Sequence, residues 1–312
     1  MHVRRLVKAG QASHTVSLPK AWLDKNNLKK GDTVYLHEKS DREIIVTPEH
    51  KEQEIAQKEI TITTDKKDIE HIQREITSAY INNYSAINIV GKDLNEKAKD
   101  VRKMLHDFVA LEIAEQTSNK ITAKDLLNWK EISIEKTLRR IDIIIRSMFE
   151  DTVKSIHGEN LYQSIYFRDF DVNRLYFLMF RILKGALADV NIAAQFNVSN
   201  AEILSDWYLV LNLENVADNL KTTCKLFTEL GDKITGLEEV YKVLQENYLG
   251  ALKAYYDRNK DLAQQVASKR QEVIVKLEEL TKKNKNINAL MPNIKELETF
   301  ISNIARIVID RE

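Results

Sequence analysis

Leu209–Phe227 reads LVLNLENVADNLKTTCKLF. Leu209, Leu213, Val216, Leu220 and Phe227 recur at steps of three, four and seven, which gathers them on one stripe of an α-helix. Glu214 and Asp218 stand four residues apart, so both carboxylates lie along the same side of that helix. Two acids so placed repel each other unless a metal ion, a basic side chain or water offsets the charge. From this helix alone, a solvated acidic edge and a ligand set are equally open. The segments around it repeat the same plan.

The chain has 312 residues, enough for two or three domains. Its apolar share is 43% and its charged share 30%, which suits a helical protein with large solvated faces. Eight Gly and three Pro also favour long helices, whose interiors tolerate neither residue. The single cysteine, Cys224, excludes an intrachain disulfide framework and fits a reducing compartment. The first residues, MHVRRLVKAGQ, lack the apolar core of a signal peptide. The most apolar run, Leu175–Leu183, is interrupted by Arg181 and is far shorter than the ~20 residues that span a bilayer. The expectation is a cytoplasmic protein with no membrane insertion.

Net charge is zero, yet Arg4, Arg5, Lys8, Lys20, Lys25, Lys29 and Lys30 face only one acid, Asp24, in the first thirty residues. This leading segment, 1–48, alternates as short strands. VRRLVK and HTVSL come first, Pro19 opens a short helix (PKAWLDKNN), and TVYLHE and REIIVT form a hairpin around Lys39-Ser40-Asp41. So small a piece cannot complete a core alone, which predicts an obligate dimer.

RRLVKAGQASHTVSLPKAWLDKNNLKKGDTVYLHEKSDREIIVTP resembles the AbrB/SpoVT family of swapped-hairpin DNA-binding modules, through its SLPKAW core, its LKKGD turn and its closing hairpin. The resemblance implies an intertwined homodimer that presents cations to DNA, with Arg4, Arg5, Lys8 and Lys20 in the matching positions. A module that only dimerises, with solvated lysines, is the plainer alternative.

Glu49–Glu59 is charged and unpatterned, and reads as a linker or an extension of a strand. The stretch 49–130 then alternates strand and helix. ITITT is followed by a helix to about Asn82 that Asp65 could cap. AINIV ends at Gly91, a second helix runs from Leu94 to Phe108, and LEIAEQT and KITAKDL pair around Ser118-Asn119. This β-α-β-α-β-β order predicts a small α+β domain with its helices on one face, serving as a spacer or sensor. No Gly-rich loop follows either first strand, which argues against a nucleotide site.

The remainder, 131–312, is helical. Ile141, Ile144, Ile145, Met148, Phe149 and Ile156 mark one helix; Leu175, Leu178, Met179, Ile182, Leu183, Ala186, Leu187 and Val190 mark a second. The third is the one quoted at the outset, reaching Glu229. Gly231 and Gly236 bracket a loop, and helices follow over about Leu237–Tyr256, Asp257–Lys283 and Pro292–Asp310. Three helices, a loop and three more make an internal repeat of two three-helix bundles. On alignment, Asp169/Asn173 and Asp257/Asp261 open the second and fifth helices, while Glu214/Asp218 and Glu298/Ser302 sit on the third and sixth. The fold class is therefore multidomain and mainly α.

DFDVNRLYFLMFRIL, LENVADNL and LETFISNIARI resemble the PhoU family of phosphate-uptake regulators, and with the swapped-hairpin segment in front the chain resembles its archaeal branch. The resemblance implies metal held by E/D-x-x-x-D motifs, here Asp169, Glu214, Asp218, Asp257 and Asp261, with Glu298 a weaker member. Asn173 and Ser302 depart from the motif and each removes an anionic ligand. All seven histidines lie at or before His157, so any ion in the helices would be held by oxygen, which suits magnesium, manganese, calcium or iron and excludes zinc in a Cys/His site. The alternative reading is an adaptor that does not bind DNA: the helical array docks on a phosphate transporter ATPase or a signalling kinase, and the leading hairpins only dimerise it.

Enzyme signatures are missing from the sequence. Gly231 and Gly236 have P-loop spacing, but Leu237 and Glu238 follow where Lys and Ser/Thr are needed, and G-x-G-x-x-G and G-x-S-x-G do not occur. Trp207, Tyr208, Tyr176 and Phe177 fall among apolar residues at helical spacing, as core side chains do.

Overall fold

The computed structural model describes residues 3–10, 13–40, 43–48, 58–230 and 235–311. The chain divides into two compact units, 1–56 and 57–312.

Among its described residues, the first unit contains two antiparallel strand pairs and a short helix. Strands β1 (Val7–Lys8) and β2 (His14–Thr15) pair antiparallel, with Lys8 opposite His14. Helix α1 (Lys20–Lys25) follows, with Pro19 at the N-cap rather than in the first turn. It ends where Asn27 turns left-handed at φ 55°, a conformation that asparagine tolerates better than most residues. Strands β3 (Tyr35–Ser40) and β4 (Glu43–Thr47) form the second pair; Asp41, at its expected turn, lies outside the described residues, as does most of the expected linker, 49–57. Among the described side chains of this unit none is buried. Val3 is 76% exposed, Leu6 72% and Leu36 67%.

The second unit opens with the expected α+β arrangement: β5 (Glu59–Thr63), α2 (Ile69–Ile81), β6 (Ala86–Val90), α3 (Leu94–His106), β7 (Leu111–Gln116) and β8 (Lys120–Asp125). The sheet order is β5-β6-β8-β7, with β5 and β6 parallel and the remaining pairs antiparallel. The pleat points alternate residues to one side, so Ile62, Ile87, Ile89, Ile121 and Ala123 form a buried face. Ile72, Ile76, Ala79 and Tyr80 of α2 and Leu94, Val101, Met104 and Leu105 of α3 cover it. The N-cap of α2 is Asp68, which accepts the His71 N–H at 2.6 Å, and not Asp65. Asp65 instead accepts the Lys92 N–H at 2.8 Å, tying the ends of the two parallel strands together.

Among the described residues, eight α-helices complete the unit: α4 (Ile134–Ile156), α5 (Tyr162–Ala188), α6 (Val190–Phe196), α7 (Asn200–Leu230), α8 (Leu237–Asp257), α9 (Lys260–Ser268), α10 (Arg270–Lys283) and α11 (Met291–Ile309). Gly231, at the expected head of the loop before α8, is outside the described residues. The two halves share one core, in which α7 packs on α4, α5 and α11, and α8 packs on α4 and α11. Three details differ from the sequence-based expectation. Leu187 and Tyr208 are exposed rather than core, and Val190 belongs to the short α6. α6 arises because the chain leaves α5 in extended conformation at Asp189 and re-enters a helix immediately. The expected fifth helix is two, α9 and α10.

One side chain locks the α+β part to the helices. Arg181 of α5, 1% exposed, donates through Nη1 to Asp125 Oδ1 at 3.0 Å, through Nη2 to Asp125 Oδ2, and through Nε to Asn83 at 2.6 Å. Its guanidinium lies over Tyr80 at 4.7 Å and Trp129 at 5.5 Å. A buried guanidinium is tolerated only when paired and bonded in this way. Gly185, one turn on, keeps the approach open: a Cβ there would stand 3.0 Å from Asn83 Nδ2. Phe108 stacks on Tyr80 and meets Phe177 of α5 edge-on, extending the same junction.

Candidate functional site

The antiparallel contact of α5 and α7 brings together three of the acids singled out in the sequence. Asp169 sits in the second turn of α5, and Glu214 and Asp218 lie on α7. Lys221, three residues beyond Asp218, turns its ammonium between the helices. Its Nζ is 2.7 Å from Asp169 Oδ2 and 2.6 Å from Asp218 Oδ1. Asn173 donates to Asp169 Oδ2 at 3.3 Å. Asp169 is buried, and its Oδ1 accepts no hydrogen bond among the described residues.

The protonation of the cluster follows from this geometry. Burial raises the Asp169 carboxyl above its ordinary range, and Lys221 pulls it back. Glu214 has no bonded cation among the described residues. Burial first, then the charges of Asp218 and Asp169, push it up to about 7, so it is about half protonated at neutral pH. Burial opposes the charge on Lys221, yet its bonds to Asp169 and Asp218 hold the ammonium above its usual range.

The corresponding place in the second half is built differently. Glu298 of α11 is buried, accepts Ser302 Oγ at 2.6 Å, and lies 3.1 Å from Arg270 Nε. Burial raises Glu298, and Ser302 and Arg270 oppose that rise. Asp257 and Asp261 do not join it as one helical pair. Asp257 is the last residue of α8, Arg258 turns left-handed at φ 52°, Asn259 caps α9, and Asp261 lies in the first turn of α9. Both are exposed. The turn arises because Asn259 accepts the Leu262 N–H at 2.9 Å and restarts the helix; Asp261 then complements the positive end of α9.

In the first unit, Arg4 and Arg5 precede β1, Lys8 lies in it, and Lys20 opens α1. All four are exposed, and none forms an ion pair among the described residues.

The sequence reading passed over Lys221, Arg270 and Arg181. Lys221 left a signal: it stands seven residues after Glu214 and three after Asp218, on the same helical side. Arg181 left only the interruption of an apolar run and Arg270 left no signal, because their partners come from other elements.

Comparison with known proteins touches both parts of the chain. Residues 12–54 match the family model of the antidote-toxin recognition protein MazE, a bacterial antitoxin. The stretch that resembles the swapped-hairpin modules is thus met by an antitoxin-type domain. Curated proteins give no match. Among solved structures, PhoU from Pseudomonas aeruginosa is similar over 57% of this chain and 90% of its own, at 15% identity and a TM-score of 0.46. No helix among the described residues is long and apolar enough to cross a membrane.

Proposed function

We propose that the chain is a dimeric, cytoplasmic DNA-binding regulator of the phosphate-uptake type, in which the helical array receives the signal and the first unit addresses DNA. The observation that carries this is the state of the first unit. It buries none of its described side chains, it exposes Val3, Leu6, Leu36 and Ile44, and among the described residues Arg4, Arg5, Lys8 and Lys20 have no acidic partner. Apolar side chains of that size gain about 1.5–3 kcal/mol each on full burial, and a second copy interleaved with the first is the closest source of cover. Two copies double the cations, which suits a polyanion: contacts to phosphate position a protein without reading bases. The match to an antitoxin domain and the resemblance of the helical stretches to phosphate-uptake regulators support the two halves of the proposal.

The test is titration of duplex DNA with the full chain over a range of salt. Affinity is expected to fall as salt rises, and Arg4→Ala with Lys8→Ala is expected to lower the log–log slope by about 1 per lost phosphate contact. Binding indifferent to salt and to both substitutions would remove the DNA role. Sedimentation equilibrium at micromolar concentration is expected to give a dimer. A second reading is an adaptor that docks on a transporter ATPase or a kinase, favoured by Tyr166 and Phe167, which meet edge-on at 5.8 Å and are both exposed on α5. Capture of such a partner through α5, with no DNA affinity, would favour it.

A further inference from the structure

We infer that Lys221 takes the place of a metal ion in the carboxylate cluster of α5 and α7, so that this chain holds its acids together with its own ammonium. The resemblance to phosphate-uptake regulators implies a divalent or iron cation at this position, and the geometry disagrees in three ways. First, Nζ already contacts the oxygens such an ion would use, at 2.7 Å from Asp169 and 2.6 Å from Asp218. A hard cation needs those oxygens at about 2.0–2.6 Å, so it could enter only by expelling the ammonium. Second, the two departures from the acidic motif work as donors. Asn173 donates to Asp169, and Ser302 donates to Glu298. Each stands four residues after the acid it serves, where the motif has a further acid. Third, the second half repeats the solution with another basic side chain, Arg270, 3.1 Å from Glu298. With the ammonium in place, the described residues hold no three His, Cys, Asp or Glu side chains close enough together to bind a metal ion, so a cation site on these acids needs them to close up once Lys221 is gone.

A tethered ammonium differs from a metal in what it makes the helices depend on. It cannot dissociate, so chelators and metal supply leave the α5–α7 contact unchanged. Removing it should re-create a cation site. The Asp169 Oδ2 and Asp218 Oδ1 oxygens would be released, beside an Asp169 Oδ1 and a Glu214 that, among the described residues, have no donor and no bonded cation respectively.

The experiment uses the full chain and Mn²⁺ as the probe. Metal content after dialysis against MnCl₂ and thermal melting with MnCl₂ or EDTA are measured for the wild type, Asp218→Asn, Lys221→Gln and Lys221→Gln with Asp169→Asn. The wild type is expected to show no Mn²⁺ binding that Asp218→Asn removes, and no change of melting temperature between EDTA and Mn²⁺. Lys221→Gln is expected to take up about one Mn²⁺ per chain and to melt higher with Mn²⁺ than with EDTA, a gain that Asp169→Asn reverses. Wild-type binding abolished by Asp218→Asn would overturn the inference, as would a folded Lys221→Gln chain that takes up no Mn²⁺. Should Lys221→Gln fail to fold, the comparison of wild type with Asp218→Asn decides alone.

Discussion

Replacing Arg181 by methionine should weaken the attachment of the α+β part to the helices. Methionine keeps the length and apolar body of the side chain and removes the guanidinium. Asp125 is then left at a largely buried position with no cation, and Asn83 loses the donor at 2.6 Å. Truncating one partner of a buried ion pair costs about 3–5 kcal/mol, because the remaining charge is uncompensated. The lost contacts with Tyr80 and Trp129 add about 0.5–2 kcal/mol, partly recovered by the methionine stem. A net loss of about 3–5 kcal/mol, at a urea dependence of about 3 kcal/mol/M, moves the unfolding midpoint down by about 1 M or more. The assay is urea unfolding followed by far-UV ellipticity and by tryptophan emission, since Trp129 lies 5.5 Å from the guanidinium and reports the junction directly. Asp125→Asn combined with Arg181→Met removes the stranded charge while keeping an oxygen for the Leu127 N–H, and is expected to recover about 1–2 kcal/mol. A midpoint within about 0.2 M of wild type for Arg181→Met, or a double variant worse than the two single losses together, would refute the assignment of Arg181 as the lock.

The remaining expectations concern the cluster and the strand ends. Glu214 is held near 7, above its ordinary 4.5, so the folded chain binds more protons than the unfolded chain between those values. Stability from this group is therefore greatest below about pH 4.5 and is lost as pH rises through 7. Its partial exposure reduces the effect to about 1–3 kcal/mol. Glu214→Gln should stabilise the chain at pH 8 relative to wild type and flatten the pH dependence in thermal melts; an unchanged difference between pH 5 and pH 8 would count against the shift. At the ends of the parallel strands, a Cβ on Gly91 would lie 1.9 Å from Thr64 Oγ1, and Thr64 is fully buried and bonded to Asp93. Gly91→Ala should cost about 1–3 kcal/mol, read by calorimetry. A melting temperature equal to wild type would show that the strand ends are looser than drawn.

The element order of the α+β part and the extent of α4, α8 and α11 were legible in the sequence because each element carries its own period. A buried helix face repeats every three or four residues, and a half-buried strand alternates, whatever surrounds it. The lack of cover in the first unit was legible too, since fewer than fifty residues of strand cannot bury their own apolar side chains. Contacts between elements leave no such local record. Arg181 looked like an interruption in an apolar run, and only the packing of α5 on the α+β part made it a buried bidentate partner of Asp125. Asp65 was the expected cap by residue type, but the Lys92 N–H claims it, and the His71 N–H finds Asp68 instead. Asp257 and Asp261 had the spacing of a pair until the Arg258–Asn259 turn placed them in different helices. The acids of Glu214 and Asp218 were visible from the start, with a metal, a basic side chain or water all able to offset them. Only the crossing of α5 and α7 brings Asp169 within reach of the Lys221 ammonium, which also contacts Asp218, because a charge pairs with what the fold places beside it.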